Sequence, residues 1–145
     1  YLASSPQTGW VAMVWQNLAT SGHYPRGMDE RVLELVLRAV EQVPPGRVVS
    51  YGDLAWIIGI GPRQVGAAMR EAGASVSWWR VTNHQGELPA HLLPEARRLW
   101  HQEGIPLRAN GRGCDIRGHR ADLGKLADDF LLATADLVDA DKENP

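Results

Sequence analysis

The chain has 145 residues and a mass of 16.0 kDa, with 44% hydrophobic and 22% charged residues, the proportions of one globular domain with or without tails. No apolar run approaches the roughly 18 residues of a membrane-spanning helix. The single cysteine, Cys114, excludes an intrachain disulfide and any zinc site built from several thiolates. The net charge of −2 conceals an uneven distribution: residues 28–120 carry 12 Arg and 10 acids, and residues 121–145 carry 2 Lys and 7 acids. A mildly basic body is therefore followed by an acidic tail, and a nucleic-acid partner is not excluded by the average.

Residues 1–27 are rich in Gly, Ser, Pro and Thr and show no sustained period. The chain begins at Tyr1, and Met28-Asp29-Glu30 has the form of a natural start. The expectation is an upstream or expression-derived leader outside the domain. From Asp29, Val32, Leu33, Val36, Val40 and Val43 recur at helical spacing, with acids at the positive end of the helix dipole. Pro44-Pro45-Gly46 stops this helix. Val48 and Val49 form a very short extended segment. Ser50 and Asp53 have capping-box spacing and open a helix from Tyr51 to about Ile58. Gly59-Ile60-Gly61 is a tight turn, and Pro62 starts a helix to about Ala72. Two short helices joined by a glycine turn have the shape of a helix-turn-helix.

Val76 to Thr82 reads as a strand, Asn83 to Gly86 as a turn and Glu87-Leu88 as a short return strand, a β-hairpin. The fold class expected is mostly α with a small β-hairpin: a winged helix-turn-helix DNA-binding domain over residues 28–108. Pro94 to Glu103 is a further helix closed by Gly104. Residues 109–119 read as a Gly- and Arg-rich loop, and the segment from Leu123 as a helix leading into the acidic tail.

The usual catalytic constellations are missing from the sequence. His23, His84, His91, His101 and His119 show no metal-ligand spacing, and no phosphate-binding glycine loop is present. Cys114 reads as an incidental surface thiol. On the second helix of the pair, Val65, Ala68 and Met69 share an inner stripe, and Arg63, Ala67 and Arg70 an outer one. With Gly66, that outer stripe is small enough to lie against a groove while two guanidiniums reach phosphates or bases. A solvated charged face is an equally good account. In Ser77-Trp78-Trp79-Arg80-Val81, adjacent aromatics on a strand would face opposite ways. One is then core; the other packs on a neighbouring helix or offers a stacking platform for a base.

Three segments taken together resemble the DNA-binding domain of the O6-alkylguanine-DNA alkyltransferases, and more closely the alkyltransferase-like proteins. They are Val-Pro-Pro-Gly-Arg-Val-Val-Ser-Tyr-Gly-Asp-Leu-Ala at 43–55, Pro-Arg-Gln-Val-Gly-Ala-Ala-Met-Arg at 62–70 and Ser-Trp-Trp-Arg-Val at 77–81. The resemblance spans about Glu30 to Leu107. Alkyltransferases have Pro-Cys-His-Arg-Val at the third segment, with the Cys as alkyl acceptor; here that position is Trp78. The resemblance implies a protein that transfers nothing, needs no cofactor or metal, and binds double-stranded DNA containing O6-alkylguanine. Tyr51 would crowd the phosphate of the target nucleotide. Arg63 would enter through the minor groove and fill the gap in the stack, with Gly66, Ala67 and Arg70 beside it. Trp78, Trp79, Arg80 and, on a pocket loop, His91 would surround the flipped base. Ser77 and Trp79 replace the family Pro and His. Glu103 matches the glutamate of the proton relay but has no relay to serve. The implied setting is cytoplasmic or nucleoid-associated, as a monomer that hands the lesion to nucleotide excision repair proteins. A sequence-reading winged-helix regulator and an active alkyltransferase with an unorthodox acceptor are the competing readings.

Overall fold

The computed structural model describes residues 30–137. The expected leader, the proposed start at Met28 and the end of the acidic tail lie outside the described residues. Helix α1 (Glu30–Gln42) buries Leu33, Val36, Leu37, Ala39 and Val40 on one face. Full burial of each Leu or Val contributes about 1.5–3 kcal/mol, so this stripe is the spine of the core. Val43 caps that stripe, and the chain turns at Pro44-Pro45-Gly46 into strand β1 (Val49–Ser50).

Helix α2 (Tyr51–Ile58) opens with the expected capping box: Asp53 N donates to Ser50 Oγ at 3.0 Å and Ser50 N to Asp53 Oδ2 at 2.9 Å. It ends at Gly59, whose φ of 87° is the left-handed conformation that glycine adopts without a Cβ clash. Helix α3 (Pro62–Ala72) follows, with Pro62 in its first turn. Val65 and Ala68 insert into the core against α1 and α2, completing the helix-turn-helix pair.

The molecule is mostly helical with a small two-stranded sheet. The pairing differs from the hairpin read in the sequence. Val81–Thr82 (β2) runs parallel to β1, with Val49 opposite Val81 and Ser50 opposite Thr82. Residues Trp78–Arg80 form a 3₁₀ turn, not a strand. The reason lies in Trp79 and Arg80, which both bond the carboxylate of Glu103. Successive strand residues face opposite ways and could not both reach it; in a three-residue turn they can. Glu87 bridges antiparallel to Gly113 instead of returning along residues 76–82.

Helix α4 (Leu93–Glu103) carries Ala96 and Trp100 into a second core cluster with Val48, Ile105, Cys114 and Ile116. Cys114 is buried, so it is not the surface thiol expected. The single turn α5 (Ile116–His119) joins the second core cluster through Ile116, and helix α6 (Leu123–Ala133), beyond the helix pair in sequence, packs against α1 and α2. Leu126 and Phe130 join the α1 core, Val48 N donates to His119 O at 2.9 Å, and Arg120 bonds Asp53. Among the described residues no helix is long and apolar enough to cross a membrane.

Candidate nucleic-acid interface

The helix pair, the 3₁₀ turn and the loop before α4 enclose one side of a cleft of about 1240 Å³. Tyr51, at the start of α2, lines it. So do Arg63, Gly66, Met69 and Arg70 along α3, and Trp78 of the 3₁₀ turn. Asn83, Glu87 and His91 form the lip. Arg63 and Arg70 are exposed and stand seven residues apart on one face, roughly 10 Å along the helix axis at 1.5 Å per residue. That separation exceeds the spacing of adjacent phosphates on a strand, so the two cations can address different groups of one backbone. Neither is in an ion pair among the described residues.

Tyr51 is half-buried. Burial pushes its phenol above the usual pKa, opposed by the charge of Arg70. It is therefore a neutral hydrogen-bond donor at physiological pH, able to approach a phosphate without repulsion. Trp78 is half-buried too and meets Trp79 edge-to-face, with centroids 5.8 Å apart and planes at 88°. That contact fixes one side of the Trp78 ring and leaves it on the cleft.

The structure thus brings together Tyr51, Arg63, Gly66, Arg70, Trp78 and His91. Ala67, half-buried, does not line the cleft. The face of α3 that does is rotated toward Gly66, Met69 and Gly73, so Met69 belongs to the cleft wall as well as to the inner stripe. Reading Arg63, Gly66 and Arg70 as an i, i+3, i+7 stripe would have found it. Trp79 and Arg80, expected around the base, do not line the cleft either. Trp79 Nε1 donates to Glu103 Oε2 at 2.8 Å. Arg80 is buried, its Nη2 2.7 Å from the same oxygen and its Nη1 donating to Val43 O at 3.0 Å. The Arg80 guanidinium also lies 5.3 Å from the Trp79 ring centroid, a cation–π contact.

Glu103, which the sequence left without a duty, is the hub of this wall. Besides Trp79 and Arg80 it accepts from Gly46 N at 2.9 Å. Burial acts to raise its pKa, but the bonds from Arg80 and Gly46 and the Arg80 charge outweigh burial and hold the carboxyl below its usual range. In a carboxylate–histidine relay the carboxylate stays an anion and orients the imidazole; Glu103 is an anion too, but the ring it holds is the indole of Trp79, which has an N–H to donate and no basic nitrogen to take up a proton. Cys114, the one thiol of the chain, is sealed in the second core cluster, and burial pushes its pKa up to about 11. A buried, protonated thiol is a poor nucleophile. Among the described residues no group of three metal-ligating side chains gathers.

Residues 32–105 match the profile of the family described as 6-O-methylguanine DNA methyltransferase, DNA binding domain. The chain belongs to that family.

Its relatives include a DNA base-flipping protein of Vibrio parahaemolyticus serotype O3:K6 (strain AQ3810), 30% identical over 91 residues, 59% of this chain and 90% of the relative. A DNA base-flipping protein of Escherichia coli (strain K12) is 31% identical over 91 residues, 59% of this chain and 70% of its own length. One of Thermus thermophilus is 40% identical over 76 residues, 51% of each chain, so the match spans about half of that relative. No solved structure matches the chain. The matched segment of the family contains the helix pair, the 3₁₀ turn with Trp78 and all the residues that line the cleft, and ends at Ile105.

Proposed function

We propose that this protein is a non-enzymatic sensor of O6-alkylguanine in duplex DNA. Helix α3 approaches the minor groove, its small residues allowing close contact. Arg63 occupies the space that the target base leaves in the stack. Tyr51 presses on the phosphate of that nucleotide and donates to it. The extruded base enters the cleft and stacks on Trp78, with His91 at the rim. Trp79 and Arg80 act from behind, through Glu103, as positioning residues for that wall. Extrusion costs a few kcal/mol and less for a poorly paired base, so an alkylated guanine is favoured before any contact with its alkyl group. The held lesion is then passed to nucleotide excision repair proteins, in a cytoplasmic or nucleoid setting.

The observation that carries this reading is the position of Trp78. An indole, with no nucleophilic sulfur, lines the cleft beside Tyr51 and Arg63, at the place where alkyltransferase relatives have their acceptor. The relatives named DNA base-flipping protein support the same reading.

The test is a fluorescence titration of the full chain with O6-methylguanine duplex and with the undamaged duplex. The expected result is tighter binding to the damaged duplex and a smaller difference for Arg63→Ala and Tyr51→Ala. Equal affinity for both duplexes refutes the reading. Incubation with methylated DNA should leave the protein mass unchanged, and a methyl group gained on Cys114 would favour a transferase instead.

A further inference from the structure

Beyond the family segment, which ends at Ile105, the chain folds back on itself. Leu107 bridges antiparallel to Cys114, Arg108 N donates to Gly113 O at 2.9 Å and Asp115 N to Pro106 O at 2.8 Å. The result is a short hairpin whose base is buried through Ile105 and Cys114 in the second core cluster. Its tip, with Arg108, Ala109, Asn110 and Arg112, is exposed.

Two features attach this hairpin firmly to the lip of the cleft. Cys114 N donates to Gly86 O at 2.9 Å, and Gly113 bridges antiparallel to Glu87, the residue that lines the cleft. A Cβ on Gly113 would collide with Gly86 O, so the two backbones meet at a distance that only glycine permits. The tip is also held: Arg97 Nη2 donates to Gly111 O at 2.7 Å, Arg108 Nη1 to Gln85 O at 2.6 Å, and Arg112 N to Asn110 Oδ1 at 2.9 Å.

The charge of this element is one-sided. Residues 106–114 contain no acid. Arg97, Arg108 and Arg112 are in no ion pair among the described residues, whereas Arg38, Arg80, Arg98 and Arg120 are each matched to a carboxylate. Guanidiniums held on a rigid turn, without counter-charges and between small residues, suit the oxygens of a phosphodiester backbone.

We propose that hairpin 107–114 is a wing that grips backbone phosphates on one side of the flipped nucleotide, through Arg108 and Arg112. It extends the DNA footprint past the family's own DNA-binding segment. This rests on the proposed function in one respect: the cleft marks where the nucleotide sits. The wing adds affinity and register without reading the lesion, because it contacts phosphate and no base.

The experiment uses the full chain, the Arg108→Ala/Arg112→Ala double variant and Arg112→Gln alone. The single variant guards against a folding effect, because the Arg112 side chain is exposed and hydrogen-bonds no other side chain or backbone group among the described residues. Both duplexes are titrated between 50 and 200 mM salt. Each lost phosphate contact should lower the slope of log affinity against log salt by about 0.9, a change of about threefold in affinity across that range. The double variant should therefore flatten the slope by about 2, so that the parent chain's advantage over it shrinks about ten-fold between 50 and 200 mM salt on both duplexes, and leave the lesion preference intact. Hydroxyl-radical footprints should shorten on one side of the lesion only. Replacement of both by Lys should recover most of the loss. An unchanged slope and footprint in the double variant, with the lesion preference of the parent chain present, overturns the wing alone. A flattened slope in a chain without lesion preference supports the wing and refutes the lesion reading.

Discussion

Replacing Glu103 tests the wall behind Trp78 most directly. Its side chain is 12% exposed and that of Arg80 is 6% exposed, so the pair is shielded from water. The carboxylate accepts from Arg80 Nη2 at 2.7 Å, Arg80 Nε at 3.0 Å, Trp79 Nε1 at 2.8 Å and Gly46 N at 2.9 Å. Glu103→Ala leaves a guanidinium without its counter-charge and two further donors without acceptors. Removing one partner of a buried ion pair costs about 3–5 kcal/mol. At about 4 °C per kcal/mol for a domain of this size, the melting temperature should fall by roughly 12–20 °C. Urea denaturation followed by far-UV circular dichroism and by tryptophan fluorescence measures the loss, and agreement of the two probes checks the two-state assumption. The double variant Arg80→Met/Glu103→Leu should be less destabilised than Glu103→Ala, since no charge is then stranded. The pH dependence follows from the depressed carboxyl. The folded state binds this proton less readily than the unfolded chain, where the value is near 4.5. The stabilisation is therefore present at neutral pH, and it is lost as pH falls from about 4.5 through the lower folded-state value. Glu103→Gln should remove that part of the acid sensitivity. A loss below about 1 kcal/mol for Glu103→Ala would refute the hub.

Two further outcomes follow from the geometry. Trp78→Ala should reduce the preference for the damaged duplex by about 5- to 150-fold, the equivalent of roughly 1–3 kcal/mol of stacking, and leave binding to undamaged DNA within about twofold; equal losses on both duplexes would place the indole outside the base pocket. Cys114, with its pKa pushed from 9.0 to about 11, should resist iodoacetamide at pH 8 in the folded protein and react fully in urea. Because its folded pKa is raised, its contribution to stability is complete below about pH 9 and declines between about pH 9 and 11. Rapid alkylation of the native chain at pH 8 would contradict the burial.

The helix pair was readable in the residues because its signals are local. Ser50 and Asp53 cap each other across three positions, Gly59 closes α2 in the left-handed conformation, and Pro62 starts α3. The family segments carried the cleft residues Tyr51, Arg63, Arg70 and Trp78. The misread elements depend on partners far away in sequence. The 3₁₀ turn at residues 78–80 exists because Trp79 and Arg80 converge on Glu103, 24 and 23 residues downstream. Periodicity within 76–82 holds no trace of that requirement. The family segment 77–81 puts Arg80 next to the pocket, and only its distant partners Glu103 and Val43 O bury it behind the wall.

What the sequence determined by itself is therefore the set of short-range choices: where helices begin and end, and which segments belong to the DNA-binding family. The tertiary structure decided which side of each element meets which other. It turned the α3 stripe toward Gly66 rather than Ala67, buried Cys114 at the base of the hairpin and gave Glu103 its three partners. It also folded the Gly- and Arg-rich segment into an exposed hairpin joined to Gly86 and Glu87. The physical reason is common to all of these. Caps and turns are stabilised by groups a few residues apart, whereas the facing of an element is set by whichever packing buries the most apolar surface and leaves no buried charge without a partner.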